Sequence, residues 1–168
     1  LSPRNVYCIA PGPLSGTVLG MTSRMEVSTL SPYSGILGDG NAGERFATVM
    51  KRARADQIIV TGRATSPCYL LVTPESAQLL DARDLWGKGT WETTDLLMDR
   101  HGARASVACI GQGGENLVRF ASTIVDKYAS AARGSGAVLG SKNLKAVVVA
   151  GDHRVSLADP DTFKELAR

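Results

Sequence analysis

Two segments of this 168-residue chain follow the same plan: a glycine-rich loop, a short helix, a polar connection, an apolar strand and a closing glycine. They are residues 35–63, which contain "QIIVTG", and residues 133–152, which contain "KAVVVAG" at the equivalent place. A plan that occurs twice predicts a two-fold arrangement in the fold. If both loops face one cleft, their backbone N–H groups can bind two anionic groups such as phosphates. The alternative is that these glycines only form tight turns and helix entries.

Hydrophobic patterning predicts a strand-rich α+β domain with few helices. Apolar periodicity predicts a helix over residues 43–53, a second helix follows Thr90 and ends at Gly102, and a third begins at the N-cap Asp159 and runs to Arg168. Seven strands are predicted, at residues 5–10, 25–29, 57–61, 69–73, 77–80, 106–110 and 144–150.

The composition argues against several classes of protein. The 19 Lys and Arg residues are scattered among 16 Asp and Glu residues, which does not favour a nucleic-acid-binding surface. The apolar runs are strand-sized, so no membrane segment is predicted, and nothing resembles a signal peptide. We therefore expect a cytoplasmic protein. Cys8, Cys68 and Cys109 lack the spacing of a metal site and are predicted to be small buried apolar residues.

The first glycine-rich loop contains a literal G-x-G-x-x-G at Gly38, Gly40 and Gly43. This pattern indicates a dinucleotide site only between a strand and a helix, and a chain with 18 glycines matches it easily by chance. Residues 34–37 form a poor apolar strand, and no acid that could bind a ribose ends the strand after the loop. We interpret the pattern as unrelated to a nicotinamide site, with one minor alternative: Arg63 could suit the 2′-phosphate of an NADP-binding module.

A resemblance to a known family rests on several motifs read in order. They include "PGPLSGT" at 11–17, "SPYSG" at 31–35, "GNAG" at 40–43, "GENLVRFA" at 114–121 and "GAVLGSKNLKAVVVAG" at 136–151. Together they resemble the N-terminal domain of the tungsten-containing aldehyde ferredoxin oxidoreductase family, from Leu1 to about Lys164. The resemblance implies an α+β domain of two pseudo-symmetric mixed β-sheets with short helices. In the family this domain is a base on which two pterins (tungstopterin or molybdopterin) hold a tungsten or sometimes a molybdenum atom.

The resemblance also implies how the chain is organised. Residues 1–155 are expected to be the tungstopterin-binding N-terminal domain without its first part, and residues 156–168 the start of a helix that leads to the next domain. The complete enzyme would oxidise aldehydes to carboxylic acids with ferredoxin as electron acceptor. Its 4Fe-4S ligands and its acid and histidine near the metal lie in later domains, so no catalytic residue is assigned here and this chain alone is expected to be inactive. Expected partners are those domains, ferredoxin and a second copy of the isolated chain.

Cofactor-binding residues are carried over from the family motif by motif. Asn41 and Gly43 match the residues of "GNAG" that contact the pterin, and the Asn41 backbone carbonyl would help to hold a magnesium ion between the two pterin phosphates. Arg24 matches an arginine that reaches a pterin phosphate, a role that suits its planar, charge-assisted donors. The matching residues of the second loop are Ser130, Ala131, Ala132 and Arg133, with the Ser130 carbonyl as the other magnesium ligand.

The chain departs from the family pattern around both loops. Ala129 stands where the family has a phosphate-binding arginine, Ala132 and Glu44 each replace a glycine, and "RGSG" is one residue shorter than the family's loop. Lys127 or Lys142 could supply the missing positive charge. These departures leave an alternative open: a cofactor-free structural paralogue or fragment with the same fold.

Four other residues receive structural interpretations. Glu115 and Asn116 are predicted to fix a turn and sheet packing. Trp86 and Trp91 are predicted to be core or interface residues.

Overall fold

The structure is a computed structural model that describes residues 1–167, and its class is α+β, as expected. The strands are β1 Tyr7–Pro11, β2 Met25–Leu30, β3 Leu37–Ala42, β4 Ile58–Val60, β5 Cys68–Val72, β6 Ala77–Asp81, β7 Ser106–Cys109, β8 Thr123–Val125, β9 Ala129–Ala131 and β10 Leu144–Val149. The helices are α1 Phe46–Arg52, α2 Thr90–His101, α3 Gln112–Glu115, α4 Ser135–Ser141 and α5 Pro160–Leu166.

The strands form two sheets, as the resemblance implies. The smaller sheet has the order β3-β2-β1-β4 and is antiparallel throughout. The larger sheet has the order β6-β5-β10-β7-β8-β9 and is mixed, because β5 and β10 run parallel. The expectation of mixed sheets therefore holds for the larger sheet only, because every strand pair of the smaller sheet is antiparallel.

The repeated plan seen in the sequence extends over most of both sheets. In one half β2 lies between β1 and β3 while β1 also pairs with β4; in the other, β8 lies between β7 and β9 while β7 also pairs with β10. All six pairings are antiparallel. Each half places its seven-residue helix, α1 or α4, between its third and fourth strands. The topology therefore supports an internal repeat, while superposition by a two-fold rotation stays a prediction.

The main core lies between the two sheets and contains both repeat helices. Tyr7 and Ile9 of β1 face Val147 and Val149 of β10 in one apolar cluster. Helices α1 and α4 each contact strands of both sheets, and every residue of α4 is buried. A second cluster on the far side of the larger sheet packs α2 against β7, so β10 is buried along its whole length.

The outer face of the smaller sheet, in contrast, meets solvent. Alternation along β2 places Met25 and Val27 in the core and turns Glu26 and Ser28 outward. Leu37 of β3 is 72% exposed on this same side. We call this surface, formed by the outward residues of β1 to β4, the open face.

All seven predicted strands are present, within about two residues of their predicted ends. Strands β3, β8 and β9 and the four-residue α3 were not predicted. The predicted helix over 43–53 is shorter in the structure, and α5 matches the third predicted helix, whose last residue, Arg168, lies outside the described residues. Among the described helices, none combines the length and apolar character that crossing a membrane requires.

Candidate functional site

The G-x-G-x-x-G does not form a dinucleotide turn. Gly38 and Gly40 lie inside β3 and not between a strand and a helix, and the sheet that contains them is antiparallel, unlike a Rossmann unit. The segment predicted as the first glycine-rich loop is therefore a strand for most of its length, and only residues 43–45 connect it to α1. The structure thus removes the support for the minor NADP-binding alternative.

Three side chains on the open face form a chain of hydrogen bonds. Arg24, just before β2, donates through Nε to Oδ1 of Asn41 in β3. Asn41 in turn donates through Nδ2 to Oε2 of Glu26, at 3.1 Å, because Glu26 lies directly opposite Asn41 in the strand register. Gly43 belongs to the same cluster, since a methyl group placed on it would lie 3.9 Å from Nη1 of Arg24. The structure thus brings together the three cofactor-binding residues predicted before α1, which are Arg24, Asn41 and Gly43.

The predicted cofactor-binding residues form two segments, a first one at residues 40–43 with Arg24 beside it and a second one at residues 130–133, and the two segments lie directly beside each other. A side chain on Gly40 would place its Cβ 2.8 Å from the backbone nitrogen of Ala132 and 3.0 Å from Cα of Ala131. Ser31, at the end of β2, donates through Oγ to the Arg133 carbonyl at 2.6 Å. Only glycine permits so close an approach of two backbones. The fold therefore joins the two segments that the sequence separates by about ninety residues.

Strand register makes Asn41 and Ser130 equivalent positions of the repeat. Each is exposed, and each lies five residues before the first residue of its helix, α1 or α4. Two residues before each helix the backbone is left-handed, with φ of 66° at Glu44 and 62° at Arg133. The pair predicted to offer backbone carbonyls to magnesium thus occupies matched positions in neighbouring strands, because β3 and β9 contact one another.

The left-handed conformation at Glu44 explains why the family pattern has glycine there. Side chains rarely adopt φ near +66°, whereas glycine does so without strain. Ala132, which replaces another family glycine, shows no positive φ, so the substitution carries no such strain. The departure at Glu44 therefore affects both the backbone and the charge of the first segment.

Neither lysine considered as a replacement cation is available to the open face. Lys127 forms an ion pair with Asp95 at 2.5 Å and lies over the ring of Trp91. Lys142 is buried, and its Nζ donates to the carbonyls of Pro3 and Gly62 at 3.3 and 3.2 Å. Burial lowers the pKa of Lys142. The positive charge absent at position 129 is thus not restored by these two residues.

One site residue was missed by sequence reasoning. Oε1 of Glu26 is buried and has no hydrogen-bond partner among the described residues. Such an oxygen beside Asn41 suits a bound cation, and oxygen ligands are those that Mg²⁺ prefers. In residues 1–167 no three His, Cys, Asp or Glu side chains cluster as metal ligands. A magnesium ion at this place would therefore need backbone oxygens besides Glu26, and Arg24 and Arg133 are exposed, so both could contact phosphate groups.

The remaining predictions have mixed outcomes. Glu115 does fix a turn, because it accepts from the Gly87 N–H at 2.9 Å and pairs with the buried Lys145. Trp91 is 58% exposed, which excludes the core alternative, while the interface alternative stays a prediction. Cys68 and Cys109 are buried as predicted, whereas Cys8 is only half-buried.

Comparison with known proteins gives consistent matches over nearly the whole chain. Residues 1–151 match the family described as aldehyde ferredoxin oxidoreductase, N-terminal domain. Tungsten-containing aldehyde ferredoxin oxidoreductases of Pyrococcus horikoshii and Pyrococcus furiosus are 42% and 41% identical over 99% and 100% of the chain. The chain spans 28% of the length of each.

Two further similar proteins are named for other activities. The WOR-like subunit of aliphatic sulfonate oxidoreductase from Pyrococcus furiosus is 34% identical over 100% of this chain and 29% of its own length. A solved structure of the active-site complex BamBC of benzoyl coenzyme A reductase with 1,5-dienoyl-CoA superposes with a TM-score of 0.95 at 38% identity. The match covers 99% of this chain and 26% of that one.

Proposed function

Because the chain belongs to the aldehyde ferredoxin oxidoreductase family, we propose that it is the part of a tungsten oxidoreductase that holds a bis-pterin cofactor. The observation that carries the proposal is the contact between the two predicted segments, at Gly40 with Ala131 and Ala132 and at Ser31 with Arg133. Two matched segments side by side would suit a cofactor with two pterins.

Each segment would contribute one exposed arginine to the pterin phosphates. Arg24 serves the first segment and Arg133 the second, and planar guanidinium groups make paired, charge-assisted bonds to phosphate oxygens. Asn41 orients Arg24 by accepting a hydrogen bond from its Nε–H, so the guanidinium is held in place before a ligand arrives. The carbonyls of Asn41 and Ser130 would hold the magnesium ion, with Glu26 adding negative charge beside it.

The proposed activity is oxidation of an aldehyde to a carboxylic acid, with electrons passed to ferredoxin through a 4Fe-4S cluster in the rest of the enzyme. Bound on this domain, the tungsten pterin would supply the two-electron redox chemistry. This chain's residues would bind and orient the phosphates and so fix the position of the metal. We propose that the rest of the enzyme sets the choice of substrate, since proteins named for sulfonate and benzoyl-CoA chemistry are also similar to this domain. We propose a cytoplasmic location.

The test is metal and pterin content of the full-length protein that contains this chain. Replacing Arg24 with alanine removes charge-assisted hydrogen bonds of about 1.5–3 kcal/mol. This loss corresponds to a roughly 10- to 150-fold lower affinity for the cofactor. Tungsten by elemental analysis and pterin by fluorescence should fall together in Arg24→Ala. Arg83→Ala, which removes an exposed arginine paired with Asp81, should retain both.

The same measurement tests the alternative of a cofactor-free structural paralogue. Glu44 and Ala129 favour it, since they place a negative charge and remove a positive one beside the proposed phosphate site. Wild-type protein with no tungsten and no pterin would establish this alternative. Unchanged tungsten in Arg24→Ala would instead remove Arg24 from the site.

A further inference from the structure

A groove lined by arginines runs along the side of the domain next to α1. It consists of two adjoining cavities of about 480 and 430 Å³, which share Arg52, Arg104 and Asp152. The larger cavity adds Arg154 and the smaller adds Arg45. We call this surface the arginine groove. The residues predicted to bind the pterin cofactor do not line it.

Distant parts of the chain build the arginine groove and hold its shape. Gly151, just after β10, packs so closely on the end of α1 that a Cβ there would lie 2.6 Å from the Arg52 carbonyl oxygen. A Cβ on Gly16, from the loop between β1 and β2, would lie 3.1 Å from the Val155 side chain. The groove is therefore a concave site at a junction of three segments and not a run of charges on one element.

Positive charge dominates the arginine groove. Arg45 is anchored, since its Nη2 donates to the carbonyls of Ala103 and Ala105 at 3.2 and 2.8 Å. Within residues 1–167, Arg52, Arg104 and Arg154 take part in neither a hydrogen bond nor an ion pair of their side chains. The acids of the lining are Glu44 and Asp152.

We propose that the arginine groove binds a small polyanion with at least two phosphate groups. Guanidinium groups match phosphate oxygens with paired donors, and arginines spread over two adjoining cavities can engage two phosphates at once. The cavity volumes lie in the range of small-molecule sites, whereas a docking surface for a protein is broader and flatter. The shared chemistry is a diphosphate, either free or as the diphosphate of a nucleotide.

The experiment is calorimetric titration of the full-length protein with pyrophosphate, with ADP and with orthophosphate. Pyrophosphate should bind at least tenfold more tightly than orthophosphate, and rising salt should weaken it. Arg52→Gln and Arg104→Gln should each weaken binding about tenfold, whereas Arg63→Gln, outside the groove, should not. Tighter binding of ADP than of pyrophosphate would identify a nucleotide as the source, and equal binding would identify free diphosphate.

Three results would overturn the proposal. Equal affinity of all three arginine variants would place the bound phosphate elsewhere. Equal affinity for pyrophosphate and orthophosphate would exclude a two-phosphate site. Absence of binding in the full-length protein would mean that the groove is covered, for instance by an acidic segment of the same protein. Tungsten content should stay at the wild-type level in both groove variants. Failure of the groove proposal can therefore be distinguished from failure of the cofactor proposal.

Discussion

The two halves of the repeat share a strand order but differ in what covers their outer sheet faces. In the half made of β1 to β4 and α1, the outer face carries Glu26, Asn41 and Leu37 and meets solvent. In the half made of β7 to β10 and α4, α2 covers the equivalent face over β7 and β10, all six residues of β10 are buried, and Ser130 of β9 stays exposed. The second half is therefore covered over part of the face that the first half leaves open.

The segment between the halves accounts for this difference. Strands β5 and β6 extend the larger sheet beyond β10, and α2 returns across its outer side to reach β7. Polar groups in the covered half must then find partners inside the protein, since buried charges are costly when unpaired. In the open half they remain free to meet a ligand.

The largest contrast is expected between two carboxylates that pair with lysine. Glu115 is 4% exposed and neutralises the fully buried Lys145, so Glu115→Gln should destabilise the chain by about 3–5 kcal/mol. Asp56 is 81% exposed beside Lys51 in the open half, and Asp56→Asn should cost less than about 1 kcal/mol. Urea unfolding measures both. Equal losses would contradict the claim that only the covered half depends on internal charge pairing.

A smaller effect is expected where the halves meet. Gly40→Ala would place a methyl group 2.8 Å from the backbone nitrogen of Ala132, and backbone cannot move aside as a flexible side chain can. We expect a loss of about 1–3 kcal/mol from overpacking. Gly20→Ala is the matched control, because no atom lies within 4 Å of the added methyl. If both variants unfold at the same urea concentration, β3 and β9 are not packed as described.

The smallest expected effect is a pH dependence of stability that arises in α2, the helix that covers part of the second half. His101 ends α2 and lies 3.0 Å from the Tyr69 hydroxyl, and burial together with Arg100 lowers its pKa. The unfolded chain therefore binds this proton more readily. The stability that neutral His101 contributes is present above about pH 6.5 and is lost as pH falls through its lower folded-state pKa.

His101→Gln should flatten that part of the stability curve. Thermal unfolding between pH 5 and pH 8 measures the slope for the wild type and the variant. A wild-type curve that is flat below pH 6.5 would show that His101 does not support the α2 cover.

Local patterning was sufficient for the strands with clear apolar alternation, such as β2, and for the long run of β10. It failed for β3, because Gly38 and Gly40 weaken any strand signal and are explained only by the contacts with Ser31, Ala131 and Ala132. Strands β8 and β9 have three residues each, too few for a period to show, whereas the equally short β4 was predicted from its continuous apolar run of Ile58, Ile59 and Val60.

The candidate site was predicted in part. Motif resemblance predicted Arg24 and Asn41. Glu26 belongs to no quoted motif, and only the strand register, which places it opposite Asn41, identifies it as part of the candidate site. The core alternative for Trp91 rested on the average burial of aromatic side chains, and only the structure shows that this residue is exposed. The arginine groove combines segments far apart in sequence, so no local pattern indicates it.

The central claim is that two matched segments of this chain hold one cofactor, and Arg133 tests it most directly when compared with Arg24. Tungsten and pterin would be measured per mole of full-length wild type, Arg24→Ala and Arg133→Ala. The account predicts that both variants lose tungsten and pterin together and to a similar degree, because each arginine serves one of two equivalent segments. Full tungsten and pterin in Arg133→Ala, with loss in Arg24→Ala alone, would contradict a site shared by the two halves.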